Sequence, residues 1–184
     1  VGSILSGLAM QSQVMAYTAP SEIKTALNEL SGMSRDAMER MRDVVWVIDS
    51  RKDKYENLID RMRVFAEKNL VVKNITYHFT VNSIDGKKFI DPEKRQNIYL
   101  IFKEAIANIL KHSDATQVNI LFEQDKGHLR LVVQDNGTVS TQKPSDGLGM
   151  SNMAMRAKNM GGNLVTLFEN GFMVELNLDL NKKA

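Results

Sequence analysis

At 184 residues and 43% hydrophobic content, the chain is long enough for one good core, or one core with a helical appendage. Its formal net charge of +2 is spread as Lys and Arg scattered among acids, which argues against nucleic acid as a partner. There are no cysteines for a disulfide framework or a thiolate zinc site, no run near the roughly 20 apolar residues that span a bilayer, and no signal peptide; together these predict a cytoplasmic chain.

From Val1 to about Tyr17, the residues Val1, Ile4, Leu5, Leu8 and Met15 recur at helical spacing. The period is already under way at the first residue, which suggests a fragment whose true beginning lies upstream. Pro20 breaks the pattern, and Ser21 is placed to cap the next helix. To about Ser50, Ile23, Leu27, Leu30, Met33, Ala37, Met41, Val44 and Ile48 form a nearly heptad stripe. Two such helices in a hairpin expose more apolar surface than they can bury against each other. A second copy completing a four-helix bundle, and so a homodimer, is the natural expectation. The polar run at 49–54 is the candidate hinge, which places the domain boundary at 1–52 and 53–184.

Tyr55, Leu58, Ile59, Met62, Phe65 and Ala66 predict a short amphipathic helix, and Val71 to Val81 reads as a strand rich in β formers. Between Ile98 and His112 the apolar period returns, with Ile98, Ile101, Phe102, Ala105 and Ile109 on one side and Glu104, Asn108, Lys111 and His112 on another. A core helix gains nothing from that polar stripe unless it is solvated. A magnesium triphosphate gains oxygen ligands and an ammonium.

Two hairpins follow, Gln117 to Val133 around Asp125-Lys126-Gly127 and Leu164 to Leu178 around Asn170-Gly171. Asp135, Asn136 and Gly137 close the first. Gly147, Leu148, Gly149 and Met150 precede a helical run from Ser151 to Met160, whose first amides are suited to an anion. Arg156 and Lys158 on that run read as a solvated face, with phosphate as the less favoured reading. The expected fold is α+β: a helical hairpin, then an α/β sandwich of mixed, mainly antiparallel strands with helices on one face.

The order of the polar-faced helix, the strand ending in Asp-x-Gly, a stretch with Pro144, the Gly-x-Gly helix start and two closing strands resembles the ATP-binding domain of gyrase, the Hsp90 chaperones, sensor histidine kinases and MutL. The run Val1 to Gln11, with Val44 to Asp49 and Glu56 to Arg63, is similar to bacterial two-component sensor kinases of the NarX and DesK dimerisation type. The resemblance implies autophosphorylation of a histidine by ATP, then transfer to an aspartate of a response regulator receiver domain.

The phosphoacceptor would sit just upstream of Val1, since His78, His112 and His128 fall in the ATP-binding part. The fragment is therefore not expected to phosphorylate itself, and any membrane attachment would come through that upstream region. The resemblance further implies Asn108 as a magnesium ligand, Glu104 beside the cation or its water, Lys111 on phosphate and His112 on phosphate, ribose or its own helix end. Asp135 would select adenine, Gly137 would allow close stacking, and Gly147 and Gly149 would flank the phosphates.

Two residues depart from the family pattern. Val139 stands where a second glycine is usual, and Phe172 follows Gly171 where a threonine hydroxyl helps hold adenine. The loop from Thr138 to Asp146 is also short. These departures keep open a catalytically silent dimeric module with weak or no nucleotide binding. A gyrase- or chaperone-type ATPase, with Glu104 activating water, is a third reading.

Overall fold

A computed structural model describes residues 2–48, 53–138, 148–169 and 171–181. The chain divides into two compact units, residues 1–50 and 51–184. In the first, α1 (Gly2–Thr18) and α2 (Ser21–Ile48) form an antiparallel hairpin. Ala9, Ser12 and Ala16 are buried on α1 at steps of three and four, as are Ser31 and Ser34 on α2. Ser31 Oγ donates to Ala9 O at 3.0 Å, and Ser34 Oγ turns back on Leu30 O at 2.9 Å. Small side chains thus line the seam and let the two backbones approach. The apolar stripe expected from the sequence faces elsewhere: Ile4, Leu8, Met15, Ile23, Leu30 and Met33 are all exposed. Side chains at Val44 and Ile48, and the whole of 49–52, lie outside the described residues.

The second unit starts firmly at Asp53. Its carboxylate meets fully buried Arg95 at 2.8 Å, its carbonyl accepts from Ile90 N, and Lys54 pairs with Phe89 in an isolated bridge. Residues 53 and 54, read as part of the hinge from the sequence, therefore belong to the folded unit, and 49–52 lie outside the described residues. Next come α3 (Tyr55–Leu70), β1 (Thr76–Asn82), α4 (Pro92–His112), β2 (Gln117–Asp125), β3 (His128–Asp135), α5 (Leu148–Asn159), β4 (Asn163–Leu167) and β5 (Met173–Asp179). The sheet runs β1-β2-β3-β5-β4, with β1 parallel to β2 and the other pairs antiparallel. The α+β class and mixed sheet are as expected.

Alternation puts Val118, Ile120, Phe122, Leu129, Leu131, Val133, Val174, Leu176 and Leu178 on one buried face. Helices α3, α4 and α5 pack on the sheet, α3 on β1, α4 on β3 and α5 on β4 and β5. Helix α4 is the keel: Ile101, Phe102, Ala105, Ile106 and Ile109 are fully buried. Phe102 meets Phe65 of α3 and Phe79 of β1 edge-on, with centroids 6.1 and 6.3 Å away.

Three boundaries differ from the sequence reading. Val71 and Val72 were expected to open a strand, but they form a 3-10 turn closed by left-handed Asn74. Asn74 N bonds Val71 O and Ile75 N bonds Leu70 O, a Schellman cap that overrides β propensity. Helix α4 begins two turns before its apolar period, because Pro92 occupies the first turn and Asp91 Oδ1 accepts from the amides of Glu93 and Lys94, both at 3.0 Å. Helix α5 begins at Leu148, so Gly149 lies inside its first turn. The first hairpin turns at Lys126 and Gly127, both with positive φ, as a two-residue loop of the type that twisted strands favour.

Candidate functional site

The site grows from the end of β3. Asp135 is 2% exposed, because β3 lies between β2 and β5 and delivers its last side chain under the end of α4. A carboxylate there must be hydrogen-bonded. Its Oδ1 accepts from Ser113 Oγ at 3.0 Å and from Gly137 N at 2.6 Å, and its Oδ2 accepts from Phe172 N at 3.2 Å. Ser113 ends α4 and Phe172 precedes β5, so three separate elements converge on this group.

The two glycines around Asp135 are required by close approach. A Cβ at Gly137 would lie 2.1 Å from Ser113 Oγ and 2.9 Å from Asp135 Oδ1. At Gly171, φ is +91° and a Cβ would lie 2.2 Å from Asp135 O, so both conformation and space exclude a side chain. Asn136 serves the fold: its Oδ1 accepts from Gln117 N at 2.8 Å and Thr116 N at 3.0 Å, fixing the start of β2. Beside it, Asp114 takes Thr138 N at 2.7 Å and Thr138 Oγ1 at 2.6 Å. The Thr138 hydroxyl and amide hold the Asp114 carboxyl below its ordinary range.

Further back along α4, Glu104 and Asn108 are half-buried against the first turn of α5. A Cβ at Gly149 would lie 2.0 Å from Glu104 Oε1, so the glycine leaves room for that carboxylate. Asn108 Nδ2 reaches Met150 Sδ at 4.0 Å. Asn108 precedes Ser113 by five residues, about 7.5 Å along the helix. The structure therefore brings Glu104, Asn108 and Gly149 together, and Asp135 and Gly137 together, along one helix. Lys111 and His112 are exposed on the last turn of α4. Gly147, Val139 and Pro144 lie outside the described residues.

Among the described residues, no group of three or more His, Cys, Asp or Glu stands ready to hold a metal. Glu104 and Asn108 offer two oxygen-bearing side chains on one helix face. That fits magnesium, which commonly takes one or two protein ligands and fills its sphere with water and phosphate oxygens.

Arg156 corrects the sequence reading. It is half-buried and donates from Nη1 to Asn97 Oδ1 at 3.0 Å, tying α5 to α4 instead of facing solvent. Ser113, Asp114 and Thr138 were not singled out from sequence. Their partners lie 22 to 24 residues away, and no local pattern marks such pairs. A separate groove of about 430 Å³ lies in the helical hairpin, lined by Ser6, Met38, Met41, Arg42, Val45 and Trp46 among others. It shares no residue with the Asp135 edge.

Residues 93–182 match the family model described as histidine kinase-, DNA gyrase B- and HSP90-like ATPase. The sensor histidine kinase YvfT of Bacillus subtilis is 29% identical over all of this chain, and YxjM of the same organism is 24% identical over 98% of it. The chain spans about half the length of these curated relatives, 48% and 45%. Among solved structures, the Acinetobacter baumannii histidine kinase AdeS superposes with a TM-score of 0.61 at 16% identity, covering 98% of this chain and 95% of that one. That likeness supports the fold.

Proposed function

We infer that the chain is the kinase core of a two-component sensor, with residues 93–182 a histidine kinase-, DNA gyrase B- and HSP90-like ATPase domain. Its relatives are sensor histidine kinases, and an ATPase domain of this family implies ATP binding. In this reading the γ-phosphoryl group passes to a histidine N-terminal to Val1 and then to a response-regulator aspartate. The same reading takes the hairpin as half of a homodimeric four-helix bundle of the NarX and DesK type. No described helix is long and apolar enough to cross a membrane.

The observation that carries the proposal is the convergence at Asp135. A buried carboxylate at the end of β3, aligned by Ser113, Gly137 and Phe172, lies beside the end of α4, the helix that bears Glu104 and Asn108. Asp135 would accept the exocyclic amine of adenine, which an acceptor-only group prefers to a carbonyl. Asn108 and Glu104 would hold the cation, and Lys111 would supply a point charge to phosphate. Magnesium, when bound, would neutralise charge developing on the transferred group. Gly149 would leave room for the Glu104 carboxylate at the start of α5, and the remaining rate gain would come from positioning.

Phe172 favours the competing reading of a silent module, because it lacks the side-chain hydroxyl usual at that place. Titration of magnesium ATP into the chain by calorimetry separates the two. Binding that Asp135→Ala abolishes is expected. In a longer version that includes residues upstream of Val1, γ-labelled ATP should then label a histidine. Absence of heat and of any thermal shift would reject the kinase reading.

A further inference from the structure

We propose that Ser113 is the residue that sets the nucleobase preference of this site, by fixing which lone pair of Asp135 remains for the base. The inference rests on Asp135 receiving the base, as argued above. Ser113 ends α4 in extended backbone, with φ −111° and ψ 147°, and its hydroxyl faces two groups. Ala115 N donates to Ser113 Oγ at 3.1 Å, and an amide can only donate. The hydroxyl proton therefore goes to Asp135 Oδ1, at 3.0 Å. Direction is fixed by the neighbour.

A carboxylate offers about four acceptor positions, two on each oxygen. Ser113 Oγ and Gly137 N occupy both on Oδ1, and Phe172 N occupies one on Oδ2. One position remains. It can take one further N–H donor, such as the amine of adenine. It has nothing to give the carbonyl that hypoxanthine carries at the same ring position, and a site with a buried acceptor left unpaired rejects such an analogue. The Phe172 departure acquires a different meaning here. The backbone amide of Phe172 binds Oδ2, and a hydroxyl from the end of α4 reaches the other oxygen, Oδ1.

Removing the Ser113 hydroxyl would open a second acceptor position, on Oδ1, while Gly137 N and Phe172 N still hold the two oxygens, so the acceptor offered to the base no longer has one direction. Affinity for ATP would fall, while affinity for inosine triphosphate, which makes no bond to Asp135, would hold. Calorimetric dissociation constants for magnesium ATP and magnesium ITP are to be compared in the wild-type chain, Ser113→Ala, Ser113→Thr and Asp135→Ala. The ATP-to-ITP preference should shrink about tenfold in Ser113→Ala, about 1.4 kcal/mol. It should return in Ser113→Thr, because extended backbone suits a β-branched residue that keeps the hydroxyl.

Equal weakening of both nucleotides in Ser113→Ala would mark a merely structural role and overturn the proposal. A preference lost in Asp135→Ala but kept in Ser113→Ala would leave the adenine reading standing and remove Ser113 from it. Wild-type chain that binds neither nucleotide would overturn both. If Ser113→Ala loses its cooperative melting transition, Ser113→Cys, a weaker donor, should give an intermediate preference. An unchanged one overturns the proposal.

Discussion

The two units solve the burial problem in opposite ways. In residues 51–184, large apolar side chains are inside: Leu58, Met62, Phe102, Ile106 and Phe122 are all fully buried between three helices and one sheet face. In the helical hairpin the seam is made of alanine and serine, while Ile4 is 66% exposed, Met33 68% and Leu8 42%. Trp46 is buried in this unit, but a hairpin that leaves so many large apolar side chains exposed gains less hydrophobic free energy by itself, since that gain scales with the apolar area removed from water. The exposed apolar positions of the hairpin are what the proposed second copy would cover.

The first way to break that contrast is to empty the core of the ATPase unit. Phe102 is fully buried and meets two other rings, so Phe102→Ala should cost about 3–5 kcal/mol. Urea unfolding followed by Tyr and Phe near-ultraviolet dichroism, which Trp46 in the hairpin would not dominate, should show the midpoint falling. A loss below about 1 kcal/mol would mean that the core is not organised around α4.

The second prediction tests the other side. Leu8→Asp with Leu30→Asp puts charge on two exposed apolar positions of the hairpin and removes nothing from its seam. Light scattering should shift from a dimer mass to a monomer mass, with the unfolding midpoint of the ATPase unit unchanged. A wild-type chain that is monomeric at high micromolar concentration would remove the proposed second copy and leave the exposed stripe unexplained.

How much of this was legible in the sequence follows from how local each signal is. The apolar period of α4, the Lys126-Gly127 turn and the alternation of β2 and β3 depend on neighbours within a few residues, and all were readable. Val71 and Val72 misled because β-branched residues imply a strand, whereas Asn74 three residues on commits the chain to a helix cap. The start of α5 was read three residues late because Leu148-Gly149-Met150 looks like a loop until Glu104 is known to lie against it. Asp135 stood out at the end of its strand. Its three donors come from residues 113, 137 and 172; Gly137 and Phe172 could be named in advance, each for a different reason, and Ser113 could not. The hairpin stripe was found correctly as apolar. Its direction was not legible, because three of the buried residues, Ser12, Ser31 and Ser34, are polar and count against burial in any periodicity argument.

The smallest effect concerns the face of the sheet away from α3, α4 and α5. There Arg130 on β3 donates from Nε to Glu175 Oε1 at 2.8 Å and from Nη1 to Glu123 Oε1 at 3.2 Å, while Asn177 Nδ2 adds a bond to Glu175 at 3.1 Å. The Arg130 hydrogen bond, opposed by partial burial and helped by Asn177, holds the Glu175 carboxyl below its ordinary range, and the same contacts push Arg130 up. A carboxyl whose pKa is lowered on folding stabilises the native state above its unfolded value, about 4.3, and that contribution is lost as pH falls through the folded value. Arg130 stays charged across the working range and opens no window of its own. With side chains 20–40% exposed, the cluster is partly screened, so Glu175→Gln should cost less than about 1 kcal/mol at pH 7. The gap between wild type and variant should close on acidification below about pH 4 and narrow in high salt. A gap that is equally wide at pH 3 and pH 7 would mean that Glu175 contributes packing and not charge. That face would then be held by the packing of buried Val132 with half-buried Leu121 and Met173.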